Sequence, residues 1–305
     1  MTLTDKEFIT LVQKNRENED VDSDGFKEII AALDDKANVN SNSEGYGTPL
    51  HIAAKYGNIP LVKLFLEKGA DINYNKPPGM YNRKYTPLHH VIDAISTTDR
   101  DIKFLAPTTA TGLWTAKTEE GRIKQREEAA EKLRKLQGKR NEVVKFLLEQ
   151  ENIDVNKKNF HDNTPIENTV YNKYYDLTKL LLDKGADPKV ILNNDYYIEN
   201  NHTKMFDDML NLLMEYAVKD SNYKPNDNAH QRVKDAFKPY QDKIVDEVAN
   251  KKEVSEDVAN DVKSFLDGSG KRKSRKSKAK KSKKSNKANK SVKKRKTKRN
   301  KKSKK

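Results

Sequence analysis

The order of residues that follows Thr48 returns further down the chain, and this self-similarity constrains the architecture more than any single motif. Thr48-Pro49-Leu50-His51-Ile52-Ala53-Ala54 is followed, thirteen positions after Thr48, by Leu61-Val62-Lys63-Leu64-Phe65-Leu66 and then by Gly69-Ala70-Asp71-Ile72-Asn73. From Thr164-Pro165-Ile166 the same thirteen positions lead to Leu177, then to Lys179-Leu180-Leu181-Leu182 and Gly185-Ala186-Asp187. Thr86-Pro87-Leu88-His89 opens a further copy whose second half, Val143-Val144-Lys145-Phe146-Leu147-Leu148 and Asp154-Val155-Asn156, arrives about 44 residues late. One unit therefore carries a large insertion. Moving 33 residues upstream from Leu66 and Ile72-Asn73 lands on Leu33 and Val39-Asn40, so Gly25 to Asn40 reads as the second half of an earlier unit. Its first half, Asp5 to Lys14, is degenerate, as expected of a terminal cap.

Each feature of the unit has a local cause. Thr48 can N-cap a helix whose first residue is Pro49, where a missing N–H costs nothing and φ is already helical. Leu50, Ala53 and Ala54 give a thin apolar stripe that lets neighbours approach closely. Gly57-Asn58 ends that helix, Pro60 fits the first turn of a second, and Leu61, Leu64, Phe65 and Leu66 form its buried face. Gly69 can close it in the left-handed conformation. A helical pair this short cannot bury its own face, so the copies must stack into a solenoid.

The Thr-Pro-Leu-His opening, the Ala-Ala pair, the Val-Lys-Leu-Phe-Leu stretch and the Gly-Ala-Asp-Ile-Asn ending resemble the ankyrin repeat over residues 1–220. The resemblance implies an all-α solenoid of about four to five helical pairs that binds proteins through a concave face. It also implies that His51 and His89 support the turn joining neighbouring repeats. Glu167-Asn168 departs from the pattern in the Thr164 unit, and Tyr171-Asn172-Lys173-Tyr174-Tyr175 crowds its helix–helix turn. The expected organisation is a capping repeat over 1–44 and repeats over 45–220, followed by a helical extension over 221–267 and a disordered Lys/Arg-rich tail over 268–305. Within the repeats, strong copies lie near 45–74 and 161–188, and an interrupted copy near 83–156 has its insertion at about 96–141. In the extension, Asp227 to Phe237, Gln241 to Asn250 and Val254 to Phe265 each show apolar residues at helical spacing and read as short amphipathic helices.

Charge divides the chain. Lys271 to Lys305 holds 22 Lys or Arg and no acid, leaving 39 basic against 46 acidic residues elsewhere, so a body of about −7 precedes a tail of +22. With mean hydropathy −1.01 and no aromatic residue beyond Lys271, the tail has no possible core and is expected to be disordered when free. Lys271, Arg272, Lys273, Arg275, Lys276, Lys293, Lys294, Arg295 and Lys296 are spaced by Ser, Asn and Ala. Such clusters neutralise phosphates without reading bases, or serve as nuclear import signals. The expected partners of the tail are nucleic acid or an import receptor, with anionic lipid or simple solubility as alternatives.

The zero cysteine count removes disulfides, thiolate metal sites and cysteine nucleophiles. No phosphate loop and no His-Glu-x-x-His occurs, the six His are scattered, and His89-His90 cannot aim at one ion from adjacent helical positions. No catalytic residue, cofactor or metal site is expected, and the chain reads as non-enzymatic. No apolar run approaches a membrane span and the N-terminus lacks a secretory pattern, so a soluble, intracellular and monomeric protein is expected, in the nucleus, a virion or the cytoplasm.

Two segments carry interface chemistry. The tip between the Thr48 and Thr86 copies is about five residues longer than the repeat period and contains Tyr74, Met80, Tyr81, Arg83 and Tyr85, residue types that anchor interfaces, the alternative being that Tyr74 and Tyr81 only pack the loop against the next tip. The insertion holds the sole tryptophan, Trp114, and from Glu119 a run of helix formers that predicts a long charged helix protruding from the solenoid, its continuity with the second helix of the repeat left open. It reads either as a docking element or as a solvated elaboration with Trp114 tucked against the repeats.

The expected function is a non-enzymatic adaptor whose repeats bind a protein while the tail attaches it to nucleic acid or carries it to the nucleus. An alternative is a host-manipulating substrate receptor in which residues 227–266 recruit ubiquitin-ligase machinery. The Asn- and Lys-rich composition and Lys-Ser-Lys tail are similar to those of ankyrin proteins of giant DNA viruses of amoebae.

Overall fold

The computed structural model describes residues 3–42, 46–75, 85–105, 119–199, 203–221 and 223–250, and among them all regular elements are helices. The chain forms two compact units, Met1–Ala217 and Val218–Lys305. In the first, the helices come in pairs. The cap is α1 (Asp5–Lys14) with α2 (Asp24–Asp34), followed by α3 (Pro49–Tyr56) with α4 (Ile59–Glu67). Next come α5 (Pro87–Phe104) with α6 (Glu119–Glu149), and α7 (Pro165–Tyr171) with α8 (Tyr175–Asp183). Two short helices, α9 (Lys189–Leu192) and α10 (Asp195–Glu199), lead into α11 (Lys204–Ser221).

Each repeat starts where the sequence places it, with Thr48, Thr86 or Thr164 as N-cap and Pro at the first helical position. The first helices line up, α1 against α3, α3 against α5 and α5 against α7, and α4 packs on α6. Leu50, Ala53, Ala54, Leu61 and Phe65 are fully buried in the first strong copy, as are Ile166, Val170 and Leu181 in the last. Each Leu or Phe so buried contributes about 1.5–3 kcal/mol, which the pairs obtain only by stacking.

Among the described residues, the insertion lengthens the repeat's own helices. The α5 helix runs eight residues past Ser96 to Phe104, and α6 is one 31-residue helix that continues into the repeat's second helix at Val143–Leu148. It does not stand free of the repeats as a charged helix would. Ala130, Arg126 and Arg140 are buried on it. The Arg140 guanidinium spans two repeats: Nε donates to Lys55 O at 2.6 Å, and Nη1 donates to Ala94 O at 2.9 Å and to Thr98 Oγ1. Gly57, at φ 71°, makes room for this approach, because a Cβ there would lie 2.9 Å from Lys139 Cβ and 3.2 Å from Arg140 N. Further along, Asp99 accepts from Gln137 Nε2 at 2.8 Å and from Tyr174 Oη at 2.9 Å, which ties the α5 extension both to α6 and to the last strong copy.

In the second unit, α12 (Gln231–Asn250) passes through Pro239 without a break. The sequence predicts two helices here, Asp227 to Phe237 and Gln241 to Asn250, divided near that proline. One helix forms instead, and it forgoes the N–H bond that residue 239 cannot donate. Val233 and Phe237 are buried on it. The expected helix at Val254 to Phe265 lies outside the described residues.

Candidate protein-binding face

Two internal hydrogen-bonding systems hold the tips and first helices in register. In the first, His51 sits three residues into α3. The Thr48 hydroxyl lies 2.8 Å from His51 Nδ1, and His51 Nε2 lies 2.8 Å from Tyr85 O, the carbonyl that precedes the next repeat. His89 repeats the arrangement, with Thr86 Oγ1 at 2.8 Å from Nδ1 and Asn163 O at 3.1 Å from Nε2. A carbonyl can only accept, so Nε2 carries the proton and Nδ1 accepts from threonine. Burial of His89 pulls its pKa down to about 4, against the partial support of the Asn163 carbonyl, so the ring is neutral at pH 7. In the Thr164 unit Glu167 stands at this position: its Oε2 accepts from Thr164 N at 2.6 Å and from Thr164 Oγ1 at 3.0 Å.

The second system clasps successive tips. Asn40 Oδ1 accepts from Asp71 N at 2.8 Å, Asn73 Oδ1 from Asp154 N at 2.8 Å, and Asn156 Oδ1 from Asp187 N at 2.8 Å. Each of the last two also donates onward, Asn73 Nδ2 to Asn152 O at 2.7 Å and Asn156 Nδ2 to Gly185 O at 2.9 Å. Asp71 and Asp154 accept from the backbone N–H two residues later, which fixes the turn that presents each asparagine. These aspartates are thus turn residues, as their recurrence in the sequence implies.

Of the interface residues expected at the long tip, Tyr74 is half-buried and edge-on to His51, with centroids 6.2 Å apart. Tyr85 is placed differently from an exposed anchor. It is 9% exposed, stacks on His89 at 5.7 Å with an interplanar angle of 9°, and its hydroxyl donates to Asp93 Oδ1 at 3.4 Å. Its carbonyl is the acceptor for His51, so backbone and ring alike serve the joint between two repeats. Met80, Tyr81, Arg83 and Trp114 lie outside the described residues, as do Lys271 to Lys305.

Other side chains supply the exposed aromatic surface. Phe160 at the next tip is 55% exposed and lies edge-on to His161. Tyr171 on α7 is 61% exposed and Tyr196 on α10 is 60% exposed. Tyr171 stands seven residues after its repeat's threonine, where the earlier copies hold Lys55 and Asp93. That position lies on the first helix and changes from lysine to aspartate to tyrosine while the frame around it repeats. Aligning the copies on their threonines exposes this in the sequence, whereas reading along the chain presents Tyr171 only as crowding at a turn. Tyrosine and phenylalanine held on rigid elements are the usual anchors of protein interfaces. Among the described residues no cluster of three or more His, Asp or Glu could hold a metal ion, and no helix is long and apolar enough to cross a membrane.

Residues 19–106 match the family model for ankyrin repeats, in three copies. The Thr164 copy lies beyond that match, yet it repeats the threonine cap, the helical pair and the asparagine clasp. Over 60 residues the chain is 63% identical to an ankyrin repeat protein of fowlpox virus (strain NVSL), a stretch that covers 20% of this chain and 29% of the relative. The chain spans less than a third of the length of the curated relative it matches.

Proposed function

We propose that this chain, which carries ankyrin repeats, is a non-enzymatic adaptor that grips a protein partner with the tip-and-first-helix face and attaches that partner to nucleic acid, or delivers it to the nucleus, through its Lys/Arg-rich tail. The observations behind the first half are the exposed aromatics Phe160, Tyr171 and Tyr196 and the asparagine clasps that join successive tips. Satisfied tips bind a partner without reorganising, so little ordering entropy opposes association. A viral source is supported by the poxvirus relative.

The tail half rests on the +22 charge of Lys271 to Lys305 set against a body of about −7. Each phosphate neutralised lowers log affinity by about 0.9 per decade of salt on duplex DNA. Titrating full-length protein and a 1–267 truncation against duplex DNA across salt tests it: a steep slope confined to the full-length chain is expected, and equal slopes would remove the nucleic-acid reading. For the repeat half, a photo-crosslinking residue at Tyr171 is expected to trap a discrete partner that the same residue at Lys179, on the exposed side of α8, does not. Identical products from both positions would count against this face.

A further inference from the structure

We propose that the groove between α1 and α2, at the N-terminal end of the repeats, docks a basic amphipathic helix of a partner protein. This does not depend on the face proposed above.

The two helices of the cap turn matched stripes toward one another. Glu7, Thr10, Leu11 and Lys14 on α1 follow the spacing i, i+3, i+4, i+7, and Glu28, Ala31, Ala32 and Asp35 on α2 follow the same spacing. Together with Leu3 they line an open groove of about 620 Å³. Its floor is apolar, formed by Leu3, Leu11, Ala31 and Ala32, and the two alanines leave the space that a close-packing helix requires.

Charge decides what fits. The rim carries three carboxylates, Glu7, Glu28 and Asp35, against one cation, Lys14. Its surroundings reinforce this: residues 1–44 hold 11 acidic and 5 basic side chains, a net −6, so nearly all of the −7 of the body sits in this cap. Glu7 accepts from the backbone and hydroxyl of Thr4 at 2.9 and 2.7 Å, which keeps its carboxyl below the usual carboxylate range and therefore charged. An occupant must bring an apolar stripe for the floor and lysines or arginines for the rim. The chain's own tail has the charge but not the stripe, since Lys271 to Lys305 contains one valine and two alanines as its apolar residues. The occupant is therefore a helix that is both basic and amphipathic, supplied by another protein.

The test uses the full-length protein and a fluorescein-labelled 18-residue peptide of Leu, Ala and Lys with its apolar residues at i, i+3, i+4 and i+7. A scrambled isomer of the same composition and charge is the comparison. The amphipathic peptide is expected to bind at least ~10-fold more tightly than the isomer. Ala31→Arg, which fills the floor from an exposed position, is expected to abolish that preference, and Glu28→Lys with Asp35→Lys to weaken binding by a similar factor. Asp176→Lys on α8 changes charge by the same sign elsewhere and should leave the preference intact. Circular dichroism melts of each variant separate loss of the groove from loss of the fold. Equal binding of the two peptides, or an Ala31→Arg protein that keeps the preference, would overturn the proposal. So would sedimentation showing a dimer that Ala31→Arg dissociates, since the groove would then belong to a second copy.

Discussion

The Tyr197 hydroxyl donates to Glu167 Oε1 across 3.4 Å, at the position where the two preceding repeats set an imidazole N–H against a backbone carbonyl. The substitution reverses the direction of the bond. An imidazole accepts at one nitrogen and donates at the other, so it can hand on to a carbonyl; a carboxylate only accepts, so the next element must supply the donor. Burial, with Glu167 alongside, raises the Tyr197 pKa above its ordinary value, so the hydroxyl keeps its proton.

Tyr197→Phe is expected to cost about 1–2 kcal/mol, since Glu167 is buried and loses that donor. Glu167→Gln should be close to neutral, because its carbonyl still serves Thr164 and the hydroxyl of Tyr197 can accept from the new amide. Urea unfolding of the two variants checks the pair, and equal losses in both would rule out the donor role of Tyr197.

Stability should fall on mild acidification through His89. Its folded pKa of about 4 lies below the 6.5 of the free side chain, so the unfolded chain binds the proton more readily. The contribution is complete above pH 6.5, declines as the pH drops from 6.5 towards 4, and amounts to about 3 kcal/mol in full. Between pH 7.5 and 5.5 the expected loss is about 1.3 kcal/mol. Denaturant titrations of wild type and His89→Gln should show this slope in the first and not in the second.

The turn between α7 and α8 places Lys173 at φ 63°, the conformation that Gly57 adopts at φ 71° between α3 and α4. Left-handed backbone costs an ordinary residue about 1–2 kcal/mol. Lys173→Gly should therefore stabilise the protein by about 1 kcal/mol, visible as a higher melting temperature. Gly57→Ala should destabilise it, since the new Cβ meets α6 as well as an unfavourable φ.

Arg140 offers the most damaging single truncation of the insertion. Burial lowers its pKa to about 10, with Tyr56 and Asp101 opposing, so the guanidinium remains charged at pH 7. Arg140→Met keeps the aliphatic stem but removes the charged donor from Lys55 O, Ala94 O and Thr98 Oγ1, of which Ala94 O still accepts from the Thr98 hydroxyl, a loss of about 2–3 kcal/mol. Arg140→Lys should recover little, as one ammonium cannot reach acceptors on two repeats from the same fork. Thermal melts of both variants test this.

The repeat frame was legible because its determinants are local. A threonine followed by proline starts a helix wherever it occurs, and in the two uninterrupted copies the leucines recur thirteen positions on. The long α6 was legible from its helix formers, but its burial was not: Arg126 and Arg140 read as solvated charges, whereas both are buried and Arg140 bonds to two repeats. Tyr85 illustrates the converse. Its residue type marks it as an exposed anchor, whereas its burial follows from the stacking on His89 and from a joint closed by His51, 34 residues away in the chain. Tyr171 and the α1–α2 groove carry no motif, since each is defined by what the neighbouring element fails to cover. Pro239 shows propensity yielding to context inside α12.

The asparagine clasps span 31 residues from Asn40 to Asp71 and from Asn156 to Asp187, but 81 residues from Asn73 to Asp154, with the same 2.8 Å bond in each. Closing the longer loop costs under about 1 kcal/mol more than closing the shorter, because the penalty grows only with the logarithm of length. That is within the range of about 0.5–1.5 kcal/mol that one hydrogen bond returns. A rung needs only the rungs beside it, and the length of chain between them is nearly immaterial, so this scaffold can take up tens of residues of new surface at one joint while every other joint goes on as before.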